Sequence, residues 1–120
     1  MRFDEIKIYH VAMPLIEPWI TSYGSDYEIH SILINVKSNN YSAWSETCAL
    51  ELPTYSYENA NSIFFNISEI FGPRLIKKNF ETPYEVINEL SLFKGNPFAK
   101  ASLDIAWWNL KSEITNTPLH

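Results

Sequence analysis

In PFAKASLDIAWWNLKSEIT, Pro97 to Thr115, apolar residues recur on two separate faces of one helix. At about 100° per residue, Ala99, Leu103, Ala106, Leu110 and Ile114 form one stripe, with Trp107 at its edge. Phe98, Ala101, Ile105 and Trp108 form a second. Lys100, Asp104 and Lys111 separate the stripes on one side; Ser102, Asn109 and Glu113 separate them on the other. A helix on a small domain normally buries one stripe. The second therefore implies either a missing partner surface or a central helix sandwiched inside its own domain. Periodicity leaves both open.

Two shorter helices precede this one. Ala60, Ile63, Phe64, Ile67, Ile70 and Phe71 stand at helical spacing in a segment that starts near Thr54 or Ser56. Gly72-Pro73 is expected to stop it. Thr82-Pro83-Tyr84-Glu85 reads as a capping box with Pro at the first helical position, and Asn96-Pro97 as an N-cap followed by Pro.

The N-terminal half reads as strands. Residues 3–15, with Phe3, Ile6, Ile8, Tyr9, Val11 and Met13, suit a pleated, half-buried surface, and Pro14 and Pro18 are expected to close that strand. Residues 16–28 read as a polar and aromatic loop. Ile29 to Lys37 forms a second strand, Ser38-Asn39-Asn40 a turn in which Asn tolerates positive φ, and Tyr41 to Ala49 a third strand. A second loop spans Leu50 to Tyr55. Strands followed by helices predict an α+β fold: a three-stranded antiparallel meander with three helices packed on one face.

The chain of 120 residues reads as one domain, 1–120, and its 46% hydrophobic content suffices for a core. Nine basic residues against 14 acidic ones, net −5, offer no footprint for nucleic acid or an anionic membrane. No apolar run approaches a membrane span, and the acidic start, Met1 to Glu5, lacks the pattern of a signal peptide. The single Cys48 cannot form an internal disulfide, so a cytoplasmic location is expected.

Chemistry is sparse. Cys48 lies in an apolar segment without a neighbouring His and reads as a small buried hydrophobe. His10, His30 and His120 show no metal-ligand spacing, so no metal site and no catalytic residue is expected. No carboxylate pairs with a His or Lys in an acid/base pattern; Glu46, after Trp44, reads as a strand-end structural group. The two loops are richer, with Trp19, Thr21, Ser22, Tyr23 and Gly24 in one and Leu50, Leu52, Pro53, Thr54 and Tyr55 in the other. Aromatic faces and hydroxyls on loops suit ligand contact.

Several segments occur in a telling order: Met13-Pro14-Leu15, Pro18-Trp19-Ile20-Thr21-Ser22-Tyr23-Gly24, Ser42-Ala43-Trp44-Ser45-Glu46 and Pro53-Thr54-Tyr55-Ser56-Tyr57-Glu58. Ala99-Lys100-Ala101, Ala106-Trp107-Trp108-Asn109-Leu110 and Thr117-Pro118-Leu119 follow. Across its whole length the chain resembles the N-terminal capping domain of the enolase superfamily, muconate-lactonizing branch, most like the o-succinylbenzoate synthases (menaquinone biosynthesis) and N-acylamino acid racemases.

The resemblance implies a parent enzyme that abstracts a proton beside a carboxylate. Mg²⁺ would be held on a C-terminal β/α barrel, and no cofactor on this chain. It implies a substrate-facing role for Trp19, Ser22, Tyr23, Leu52 and Tyr55, and an interface made by Phe98, Ala101, Ile105 and Trp108 toward a barrel or another subunit, a homo-oligomer included. Alone, the chain is expected to be inactive. The alternatives are a stand-alone oligomerization module and a small-ligand binding protein.

The family usually carries Gly at the positions of Asn40, Ala43, Ser45 and Asn116, and a Trp-Asp pair at Trp108-Asn109. Asn is expected to serve the positive-φ turns. Ala43 and Ser45 add side chains to a close contact, and Asn109 removes a charge.

Overall fold

The computed structural model describes residues 1–120. Three antiparallel strands in the order β1-β2-β3 form the sheet: β1 (Glu5–Thr21), β2 (Gly24–Ser38) and β3 (Tyr41–Thr47). Residues paired across the ladder share a face. Ile6, Ile8, Ile32, Ile34, Val36, Ala43 and Ser45 therefore line one side, and the helices cover it. Helix α1 is continuous in three pieces, Ala60–Phe65, Asn66–Phe71 and Gly72–Leu75; α2 is Pro83–Leu90 and α3 is Pro97–Thr115. The fold is α+β, a meander followed by helices on one face.

The expected loop at 16–28 is instead the far end of a long hairpin. β1 and β2 stay paired from Glu5↔Lys37 to Pro14↔Glu28 and again from Trp19↔Asp26 to Thr21↔Gly24. Between these stretches the four residues Leu15 to Pro18 of β1 oppose Tyr27 alone. Pro14 and Pro18 bracket that bulge rather than ending the strand, since an irregular stretch does not need their missing N–H groups. Only Ser22 and Tyr23 form the turn, and Gly24, at φ +133°, supplies a backbone that a side chain would strain.

Helix α1 starts at Ala60, later than expected. Asn59 and Ser62 form a reciprocal capping box there, with Ser62 N–H donating to Asn59 Oδ1 at 3.0 Å and Asn59 N–H to Ser62 Oγ at 3.0 Å. Gly72-Pro73 does not stop it. Pro73 has no N–H for the carbonyl four residues back, and its ring would strike that carbonyl in a regular helix. The π-helical segment widens the turn ahead of it, and Gly72 N–H bonds to Ile67 O, five residues back. A Cβ at Gly72 would lie 2.7 Å from that oxygen, so glycine is required by space rather than by φ. The helix ends at Leu75, and two residues on Lys77 turns the chain at φ +61°, its N–H reaching Phe3 O at 2.7 Å.

At α2 the expected capping box does not form, and Glu85 reaches one residue past the cap instead. Thr82 makes no side-chain cap, while Glu85 accepts the Glu81 N–H at 2.8 Å. At α3 the expected N-cap also fails. Asn96 is left-handed at φ +58° and spends its amide on Lys94 O and its oxygen on Asn66. Glu58 does the work from 40 residues away: its carboxylate, on a buried residue, accepts the N–H groups of Phe98 (2.7 Å) and Ala99 (3.0 Å). A negative charge there also meets the positive end of the helix dipole.

The first stripe of α3 forms the core's centre. Ala99, Leu103, Ala106, Trp107 and Leu110 are buried, and Ile114 packs at the margin. Ser102, read as part of a polar seam, is fully buried too; its carbonyl accepts the Ser45 hydroxyl at 2.8 Å. That bond shows how β3 accommodates Ser45 where a side chain looked unwelcome. The turns behave as expected of Asn, with Asn39 at φ +52° and Asn116 at +49°, although the positive φ falls on Asn39 rather than Asn40.

Candidate functional site

The hairpin tip and the segment after β3 face each other across a cleft of about 350 Å³. Trp19, Thr21 and Tyr23 come from the hairpin, Leu50, Leu52 and Tyr55 from the segment, and Phe98 from the first turn of α3. Tyr23 and Tyr55 meet edge to face, ring centres 6.2 Å apart, and so hold the two walls together. Thr21 sets the tip: its hydroxyl accepts Tyr23 N–H at 3.1 Å and reaches Gly24 O at 3.4 Å.

Four of the five expected contact residues, Trp19, Tyr23, Leu52 and Tyr55, thus share one cavity. Ser22 does not; it occupies the two-residue turn, exposed and outside the lining. Phe98, assigned above to an interface, is half-buried and lines the cleft. Cys48, read as buried, is exposed on the cleft wall, its thiol donating weakly to His30 O at 3.5 Å. Thr21 had the signal to be found, since a hydroxyl two residues before a turn N–H is ordinary turn chemistry.

Nine of the thirteen lining residues are hydrophobic, and none is Lys, Arg or His. The polar lining is Thr21, Asp26, Ser56 and Glu58, and Glu58 is committed to the helix. Such a cleft can select shape and exclude water. It cannot neutralise an anion, and it carries no nucleophile paired with a base. The donors do not fit a Mg²⁺ ion either, which needs an octahedron of oxygens with carboxylates free to bind.

The second stripe lies outside the core. Ala101 is exposed, Ile105 is 43% and Trp108 44% exposed. Asn109 holds this side of α3 to the sheet, its amide donating to Trp44 O at 2.8 Å, and Trp44 in turn packs on Tyr9 with ring centres 5.7 Å apart. Asp104, in the seam, has a buried carboxylate oxygen without a hydrogen-bond partner, and burial pushes its pKa above the ordinary 3.8.

A raised folded pKa means the native state holds its proton longer than the unfolded chain. Stability therefore falls as pH rises from 3.8 through the raised value, and stays lowered above it. Asp104→Asn removes that slope. Urea midpoints should nearly coincide for variant and parent at about pH 3, and the variant should be the more stable at about pH 7.

Comparison with known proteins shows what this geometry resembles. The chain is 30% identical to the o-succinylbenzoate synthase of Enterococcus faecalis over 111 residues, 92% of this chain and 30% of that protein. It is 26% identical over 119 residues to the N-succinylamino acid racemase of Thermus thermophilus, covering 99% of this chain and 32% of the relative. A solved member of the enolase superfamily from Listeria innocua superposes at a TM-score of 0.88 with 28% identity, over 96% of this chain and 31% of that one.

The chain is similar along nearly its whole length to one third of these enolase-superfamily enzymes, consistent with an N-terminal capping domain. No protein-family model matches it. The chain spans about a third of the length of the curated relatives it matches. No helix in it is long and apolar enough to cross a membrane.

Proposed function

We propose that this capping domain is the specificity lid of a Mg²⁺-dependent enzyme resembling o-succinylbenzoate synthase, working with a β/α barrel that carries the reactive groups. The observation that carries the reading is the cleft. Two opposed segments build a shaped, apolar wall that has neither a cation for a carboxylate substrate nor an acid/base pair. A lid of that kind supplies water exclusion and shape, which strengthens electrostatics contributed from elsewhere. Trp19, Tyr23, Leu52 and Tyr55 would touch substrate; Ala101, Ile105 and Trp108 would rest on the barrel or on a neighbouring subunit.

The test is a chimera in which this chain replaces the equivalent third of the Enterococcus faecalis relative. The 120-residue chain alone should dehydrate nothing. The chimera should turn over, and Trp19→Ala or Tyr55→Ala in it should lower kcat/KM by roughly tenfold or more through lost positioning. Turnover by the isolated chain that survives further purification would overturn the reading. So would a working chimera indifferent to both substitutions.

The exposed second stripe also favours a self-associating module. Sizing chromatography separates the two readings: an oligomer stable to dilution supports the module, a sticky monomer the lid.

A further inference from the structure

The histidines that look scattered along the chain converge in space. His10 and His30 stand on adjacent strands of the hairpin, and His10 Nε2 lies 2.8 Å from His30 Nδ1. The other ring nitrogen of His30, Nε2, faces two carboxylates: Glu28 Oε1 at 2.9 Å and Glu51 Oε2 at 3.8 Å. His30 is largely covered, with 11% of its side chain exposed, while both glutamates reach in from solvent.

We infer that Glu28, His30 and Glu51 form a binding site for a zinc-class divalent cation. Charge is the first argument. Two carboxylates converge on one imidazole, and each has His30 as its only ionic partner, so a net negative site faces outward. A divalent ion balances the two carboxylates.

Geometry is the second. Bonds of about 2.1 Å at tetrahedral angles place donor atoms about 3.4 Å apart. The observed 2.9 and 3.8 Å bracket that value, and all three donors lie within 4.8 Å of one another. Exposed glutamate side chains close the remaining gap by rotation.

Orientation is the third. His10 holds the non-ligating nitrogen of His30, as a histidine ligand requires of its surroundings. With Nε2 on the metal, Nδ1 of His30 is the nitrogen left to hydrogen-bond with His10 Nε2 across the observed 2.8 Å. An imidazole with two carboxylates suits zinc or cobalt rather than Mg²⁺, and leaves a fourth position open.

The site also has a mechanical meaning. Glu51 sits between Leu50 and Leu52 on one wall of the cleft, while Glu28 and His30 belong to the hairpin that carries the other wall. A bound ion ties the walls together. This inference stands whether or not the lid reading holds.

The experiment uses the untagged 120-residue chain, stripped with chelator, titrated with Zn²⁺ by calorimetry and with Co²⁺ by visible absorption. One ion per chain is expected, unaffected by millimolar Mg²⁺. Glu28→Gln and Glu51→Gln, both at exposed positions, should each weaken binding at least tenfold while the circular dichroism stays native. His10→Ala should weaken it about 10- to 100-fold through lost orientation of His30, and Cys48→Ser should leave it unchanged. Absence of stoichiometric Zn²⁺ binding overturns the proposal. Binding that ignores both glutamate substitutions, or that disappears in Cys48→Ser, does so as well.

Discussion

Glu58→Ala should lower the stability of this chain by about 3 kcal/mol, a large share of the roughly 5–15 kcal/mol that holds a typical domain together. The residue is a side chain from an irregular segment doing the work of a helix cap. Its two oxygens accept the Phe98 and Ala99 N–H groups at 2.7 and 3.0 Å, and Asn96, in the cap position itself, offers them nothing. Hydrogen bonds to a charged acceptor contribute about 1.5–3 kcal/mol each, and donors left buried and unpaired account for much of the loss. Glu58→Gln keeps the shape and one acceptor oxygen, so it should cost about half as much. Urea unfolding followed by tryptophan fluorescence measures both. A loss below about 1 kcal/mol for the alanine variant would show that water replaces the carboxylate, and that Glu58 does not cap the helix.

The second large effect separates the two faces of α3. Leu103 is fully buried, and truncation to Ala removes apolar contact and leaves a cavity, at a cost of about 3 kcal/mol. Ile105, two residues on, is 43% exposed, and its truncation should cost less than about 1 kcal/mol in the isolated chain. The pair is informative because the two side chains are isomers, so only their surroundings differ. Equal losses in the monomer would mean that the second stripe is already covered, and the case for a partner surface would fail. In a complex that covers the stripe, Ile105→Ala should become the costlier change for assembly.

How much of this was legible follows from the range of the forces involved. The second and third strands, the Asn turn and the two stripes of α3 were readable because period and turn chemistry act over a few residues. Phe98 and Trp108 could be placed on one helix face from spacing alone, yet only the folded chain shows one lining a cleft and the other open to solvent.

Misreadings came where a distant or unusual partner decided the outcome. Pro14, Pro18 and Gly24 signal a loop, and nothing local shows that β2 pairs on both sides of them. Gly72-Pro73 signals a stop, and a π turn absorbs it. Asn96 signals a cap, and Glu58 displaces it from across the sequence. His10 and His30 lie 20 residues apart because cross-strand neighbours follow hairpin register, not helical or finger-like spacing. For the cleft, the residue types on both walls were visible in advance, but which residues met was not; Cys48 entered through geometry alone.

The bulge at Leu15 to Pro18 separates two jobs that a continuous ladder would couple. The pairs from Glu5↔Lys37 to Pro14↔Glu28 determine which side chains enter the core, and everything beyond Tyr27 is aimed by the three surplus residues of the four-against-one bulge. Adding or removing a residue in that excursion would swing Trp19 and Tyr23 without inverting a single interior position. Length changes at this one spot between two prolines would thus re-aim the tip over an untouched chassis, and on the proposed lid reading they would alter what the enzyme accepts.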